Sequence, residues 1–137
     1  GRALVIARRA GDTTLEITVL DRLGQVHYYH MRFAEGHRIL LDAVKLASQS
    51  DNARVEVEVY FHTMATAHYL GDAQGSQVHA LAMEAPAEAL RDRWWLASSL
   101  WGNQTLAVFG DEWGLAREFT QRALQVETIT VFRTHPV

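Results

Sequence analysis

The chain has 137 residues, 48% of them hydrophobic and 21% charged, a composition that suits one folded domain with its own core and excludes a disordered or fibrous chain. Its formal net charge of −3 comes from 16 acids against 13 scattered bases, so no broad basic surface for nucleic acid is expected. The absence of cysteine excludes disulfides, thiol catalysis and thiolate metal sites, and it points to a reducing, cytoplasmic setting.

The opening stretch, Ala3 to Val26, reads as two apolar strands around a Gly11-Asp12-Thr13-Thr14 turn, with a second turn at Asp21-Arg22-Leu23-Gly24 leading into a third strand. Leu15, Ile17 and Val19 alternate with Thr14, Glu16 and Thr18, the period of two that buries one face of a strand. Gln25 to Phe33 continues this meander as an aromatic-rich strand, with Gly24 supplying the positive φ that a tight hairpin needs. From Ala34 to Ser50, Ile39, Leu40, Ala43, Val44 and Ala47 recur at helical spacing. Arg54 to Tyr60 alternates again, Val55, Val57 and Val59 against Glu56 and Glu58, and predicts a fourth strand. Phe61 to Leu70 reads as a short helix ending at Gly71, and Gln77 to Met83 as a further strand.

Pro86 suits the first turn of a helix in which Leu90, Trp94, Ala97 and Trp101 share a face. Thr105 to Phe109 then reads as a buried strand, Asp111 as the N-cap of a helix bearing Leu115, Phe119 and Ala123, and Glu127 to Arg133 as a closing strand. The uncharged run from Trp94 to Gly110 is broken by Ser98, Ser99, Gly102, Asn103 and Gln104, so no segment reaches the roughly 20 apolar residues of a membrane span.

The expected architecture is a single α/β domain over residues 1–137: a mixed sheet that begins with a three-stranded antiparallel meander and carries helices on both faces. That order resembles the ribonuclease H-like superfamily, which includes the actin-like ATPases. Thr13-Thr14 and Asp21-Arg22-Leu23-Gly24 match the turns of the actin-like phosphate-binding hairpin. Ala10 stands where that family has its catalytic Asp, Asp12 stands where it has a phosphate-approaching Gly, and Ile6-Ala7-Arg8-Arg9 supplies no magnesium-binding acid. The resemblance therefore implies a degenerate member, and a fold alone does not assign a function.

Two kinds of site compete. An Mg²⁺-dependent nuclease or phosphoryl-transfer enzyme of that class would use Asp21, Glu58 and Asp111, with Glu58, Asp111 and Glu112 as metal ligands. Against it, Asp111 and Glu112 also serve as ordinary helix-opening acids, and Glu56 and Glu58 as a solvated strand face. The histidines lack metal spacing: His27 and His30 would point to opposite faces of a strand, and His62 and His68 miss the i, i+4 register. No serine stands in a nucleophile elbow. Among the aromatic residues, Trp94 and Trp95 diverge by about 100° on a helix, which leaves Trp95 beside Arg91 as an interface candidate. The reading that follows is a non-catalytic interaction module without cofactor, working as a homo-oligomer or within a larger bacterial assembly, its partner another protein or itself.

Overall fold

The computed structural model describes residues 2–131, and among them there are eight helices and no strand. They are α1 (Arg2–Ala10), α2 (Thr13–Tyr29), α3 (Phe33–Ala47), α4 (Ala53–Tyr69), α5 (Ala73–Ala82), α6 (Glu84–Leu90), α7 (Arg93–Phe109) and α8 (Trp113–Val131).

A repeated two-residue signal sets this pattern. Gly11, Met31, Gly71, Arg91 and Asp111 all take the left-handed conformation, with φ between +51° and +75°. The next residue opens the following helix. The Asp12 carboxylate accepts from the Leu15 N–H at 2.9 Å, Asp72 from Gly75 at 2.8 Å and Asp92 from Trp94 at 3.0 Å, and at the α3–α4 boundary, where Asp51 is not left-handed, the Asn52 side-chain oxygen accepts from Val55 at 3.3 Å. Behind four of the five left-handed residues the chain closes with the same hydrogen bond: Asp12 to the Ala7 carbonyl, Arg32 to His27, Asp72 to Ala67 and Glu112 to Ala107; at Arg91 the closing bond is from its own N–H to the Glu88 carbonyl. Helices consequently start at Thr13, Phe33, Ala53, Ala73, Arg93 and Trp113, each 20 residues after the last. α5 and α6 fill a single slot, divided where Pro86 has no N–H to return to the Ala82 carbonyl.

Loops this short turn each helix back on its predecessor, giving a helical bundle built as a row of antiparallel hairpins with a repeat of 40 residues. Each helix packs on its chain neighbours, and α2 also packs on α4. The core advances along the row in the same way. Ile17, Leu20, Ala43, Ala47 and Val59 form a first cluster, Val57, Tyr60, Met83, Ala87 and Trp95 a second, and Leu100, Phe119 and Ala123 a third. α2 and α3 cross where both lack a side chain: a Cβ on Gly24 would sit 2.5 Å from Leu40 Cγ, and one on Gly36 would sit 3.0 Å from the Gly24 carbonyl oxygen.

The mixed sheet, its opening meander and the helices on both faces are thereby overturned, and with them the ribonuclease H-like and actin-like resemblance, which needs a sheet at its core. The Asp21-Arg22-Leu23-Gly24 turn lies in the middle of α2, and Thr13-Thr14 opens that helix. Ile17, Leu20, Asp21 and Gly24 are its buried stripe, while Leu15 is exposed. Val57 and Val59, which read as neighbours on one strand face, lie about 200° apart on α4 and enter different core clusters. Gln77 to Met83 and Thr105 to Phe109 fall on α5 and α7, and Glu127 to Val131 continues α8, residues 132 and 133 lying outside the described span. No helix among the described residues is long and apolar enough to cross a membrane.

Candidate functional site

α2, α4 and α7 are the first helices of successive hairpins, and they end on Tyr29, Tyr69 and Phe109, residues 40 apart that are 77%, 57% and 68% exposed. Their rings belong to one band. Tyr28 meets Tyr29 and Tyr69 edge to face, Phe33 stacks on Tyr69 with centroids 4.7 Å apart, and His68 bridges Tyr69 and Phe109. The Tyr28 phenol is pushed up to about 12, first by its hydrogen bond with Tyr69 and then by burial.

Below this band lie two pockets. The first, about 290 Å³, is lined between α2 and α4 by Gln25, Tyr28, Tyr29, Phe61, His62 and Thr66, with Leu40 of α3 as its floor. The second, about 260 Å³, lies between α4 and α7 and is lined by Ala65, His68, Tyr69, Trp101, Gly102 and Leu106. Each of these six stands 40 residues after its counterpart in the first pocket, so the two are copies of one cavity in consecutive repeats. The copies differ in chemistry. Gln25, His62 and Thr66 of the first become Ala65, Gly102 and Leu106 in the second.

The first pocket has an ionic foundation. Asp21, 2% exposed, accepts from Gln25 Nε2 at 2.7 Å and from His62 Nδ1 at 2.6 Å. Arg22 lies 3.9 Å from Asp21 and 3.2 Å from Glu58, Arg54 lies 2.6 Å from Glu58 and 3.7 Å from Asp92, and this ladder ties α2 to α4 and to the cap of α7. The Thr66 hydroxyl is engaged by its own helix carbonyls and by His37 Nδ1 at 2.9 Å.

Of the residues singled out in the sequence, Asp21 and Glu58 are brought to one neighbourhood, with the Arg22 guanidinium between them. Asp111 is the left-handed residue of the α7–α8 turn, not an N-cap, and the first hydrogen bond of α8 goes to the Glu112 carbonyl. Among the described residues, no group of three or more His, Asp or Glu is placed to hold a metal ion. Trp95 is 7% exposed, packed on Phe61 at 5.6 Å and under the Arg54 guanidinium at 5.5 Å, while Trp94 is the ring turned outward at 59%. Arg91 holds the left-handed position of the α6–α7 turn. His62 and Gln25 escaped sequence reading because the carboxylate that joins them is 41 residues from His62; the i, i+4 pair Asp21/Gln25 was the available signal, and it needs a helix to have meaning.

Fold and pockets together define an all-helical hairpin-repeat protein with a row of side-chain-sized cavities on one set of helices. No family model matches the chain, and no curated protein matches it.

Proposed function

We propose that the chain is a non-catalytic interaction module that holds a segment of a partner protein along the face formed by α2, α4 and α7. The observation that carries this reading is the duplication of one pocket at a 40-residue offset under a continuous band of exposed aromatic rings. Two cavities of similar size in register suit a polymer with side chains at intervals better than they suit one small molecule, and Tyr and Trp are the residues that dominate protein recognition. The Thr66 and Tyr28 hydroxyls at the polar pocket are engaged in structure: that of Thr66 is taken up by its helix and His37, and the Tyr28 phenol is hydrogen-bonded with Tyr69.

Selection of phage-displayed 12-residue peptides against the immobilised chain tests the proposal. Enriched peptides are expected to lose about tenfold or more in affinity on Tyr69→Ala, the loss of one aromatic anchor that lines the second pocket and packs on Tyr28 of the first. Failure to enrich any peptide, or binding indifferent to both Tyr69→Ala and Phe109→Ala, would overturn it.

A further inference from the structure

The two pockets are copies in shape and not in chemistry, and a duplicated cavity whose lining diverges is where selectivity between partners must sit. Resting on the peptide-binding reading above, we infer that the first pocket takes a basic side chain, and the second a large apolar one.

The first pocket offers acceptors. A carboxylate only accepts, so Asp21 fixes the proton of His62 on Nδ1 and the amide N–H₂ of Gln25 toward itself, at 2.6 and 2.7 Å. What remains for a ligand is the Gln25 carbonyl oxygen and, in the neutral imidazole, the second ring nitrogen of His62, both polarised by the anion behind them. The charge around them is unbalanced. The ladder contains three carboxylates, Asp21, Glu58 and Asp92, against two guanidinium groups, Arg22 and Arg54. Arg22 sits nearer to Glu58 than to Asp21, 3.2 against 3.9 Å, so the carboxylate whose side chain is only 3% exposed has a distant guanidinium and leans on the His62 ring, at 2.6 Å, and on Gln25.

A guanidinium or ammonium group entering between Tyr28, Tyr29 and Phe61 would meet aromatic walls, two acceptors and the field of a buried anion, three features that each favour a cation. An acidic side chain would face Asp21 across the same two groups. An apolar one would strip water from both acceptors and leave them unpaired.

The second pocket reverses this preference. At the positions equivalent to Asp21, Gln25 and His62 stand Phe61, Ala65 and Gly102, so the anion, the amide and the imidazole are all lost, and Met64, Trp101 and Leu106 line the space instead. The small Gly102 keeps it open: a Cβ there would lie 2.7 Å from Met64 Sδ.

Blocked single residues test the assignment without depending on whether any longer peptide binds. N-acetyl-arginine methylamide titrated into the labelled chain is expected to shift the Gln25 side-chain amide and His62 ring resonances saturably. N-acetyl-leucine methylamide should shift the Met64 methyl and leave those groups unmoved, and N-acetyl-glutamate methylamide should shift neither set. Asp21→Asn should weaken the arginine response about tenfold, the loss of the buried charge behind the two acceptors, and leave the leucine response unchanged. Gln25→Met keeps the length of the side chain and repeats the test if Asp21→Asn fails to fold. The assignment falls if arginine produces no saturable shift at Gln25 and His62, if leucine or glutamate shifts them equally, or if the arginine response survives in every folded variant of the two. Positive single-residue results with no peptide enriched by phage selection would keep the pocket chemistry and remove the peptide reading alone.

Discussion

Replacing Gly24 by alanine separates the helical packing described here from every reading in which this residue turns a hairpin. Gly24 lies mid-helix on α2, and an added Cβ would fall 2.5 Å from Leu40 Cγ and 2.7 Å from its Cδ2, well inside van der Waals contact. Leu40 is 0% exposed, so relieving the contact means displacing a fully buried side chain. Overpacking of this kind costs about 1–3 kcal/mol, against roughly 1 kcal/mol gained when alanine replaces glycine in a helix, so Gly24→Ala should destabilise the chain by up to about 2 kcal/mol. Leu40→Ala alone should cost about 2–5 kcal/mol, as truncation of a fully buried leucine does. In that background the clash is gone and only the helix gain remains, so the same Gly24→Ala change should stabilise by about 1 kcal/mol. Urea unfolding followed by circular dichroism reads all four corners of the cycle. A change of sign between backgrounds is the expected result. Gly24→Ala destabilising equally in both, as strain at a positive-φ turn would be, refutes the packing argument.

Acid should loosen the structure through two histidines. Burial pushes the pKa of His37 and His79 down, and for His79 the charge of His37 adds to the same direction, partly opposed in both by Asp72. A histidine whose folded pKa is depressed leaves the unfolded chain binding more protons, so stability is complete above about pH 6.5 and falls as pH drops toward the folded values. Melting temperature should therefore decline from pH 7 to pH 5, and His79→Gln should flatten that slope; a slope unchanged in this variant would assign the decline elsewhere. Trp95→Ala should act as a core deletion, costing about 3–5 kcal/mol in urea unfolding, because the ring is buried with Val57, Tyr60 and Met83; a cost under about 1 kcal/mol, the level of an exposed site, would contradict that placement.

Parts of this fold were legible from residues alone. Ile39, Leu40, Ala43, Val44 and Ala47 announced α3 because that helix buries one stripe, and Leu115, Phe119 and Ala123 announced α8 for the same reason. Inner helices gave the opposite signal. α4 is packed on two sides, so Val57 and Val59 are both buried and the stripe dissolves into an alternation that mimics a strand. β-branched residues strengthen the illusion, yet Thr18 and Thr63 settle into helices by bonding the carbonyl four residues back, at 2.8 and 2.7 Å. The Gly-Asp pairs at 11–12 and 71–72 mark helix ends and starts as well as they mark hairpins, and only their 20-residue phase, shared with Asp92 and Glu112, distinguishes the two. Tyr29, Tyr69 and Phe109 carried the repeat of 40 in plain view, whereas the pockets beneath them share shape without sharing side chains and became readable only in three dimensions.

The most direct test of the account is to locate a bound peptide. Hydrogen exchange of the chain with and without a phage-selected peptide should show added protection confined to segments 21–29, 61–69 and 101–109, where α2, α4 and α7 line the two pockets. Protection that falls instead on α3, α5 and α8, or on the α6–α7 turn around Arg91, would place the binding surface elsewhere and contradict the groove.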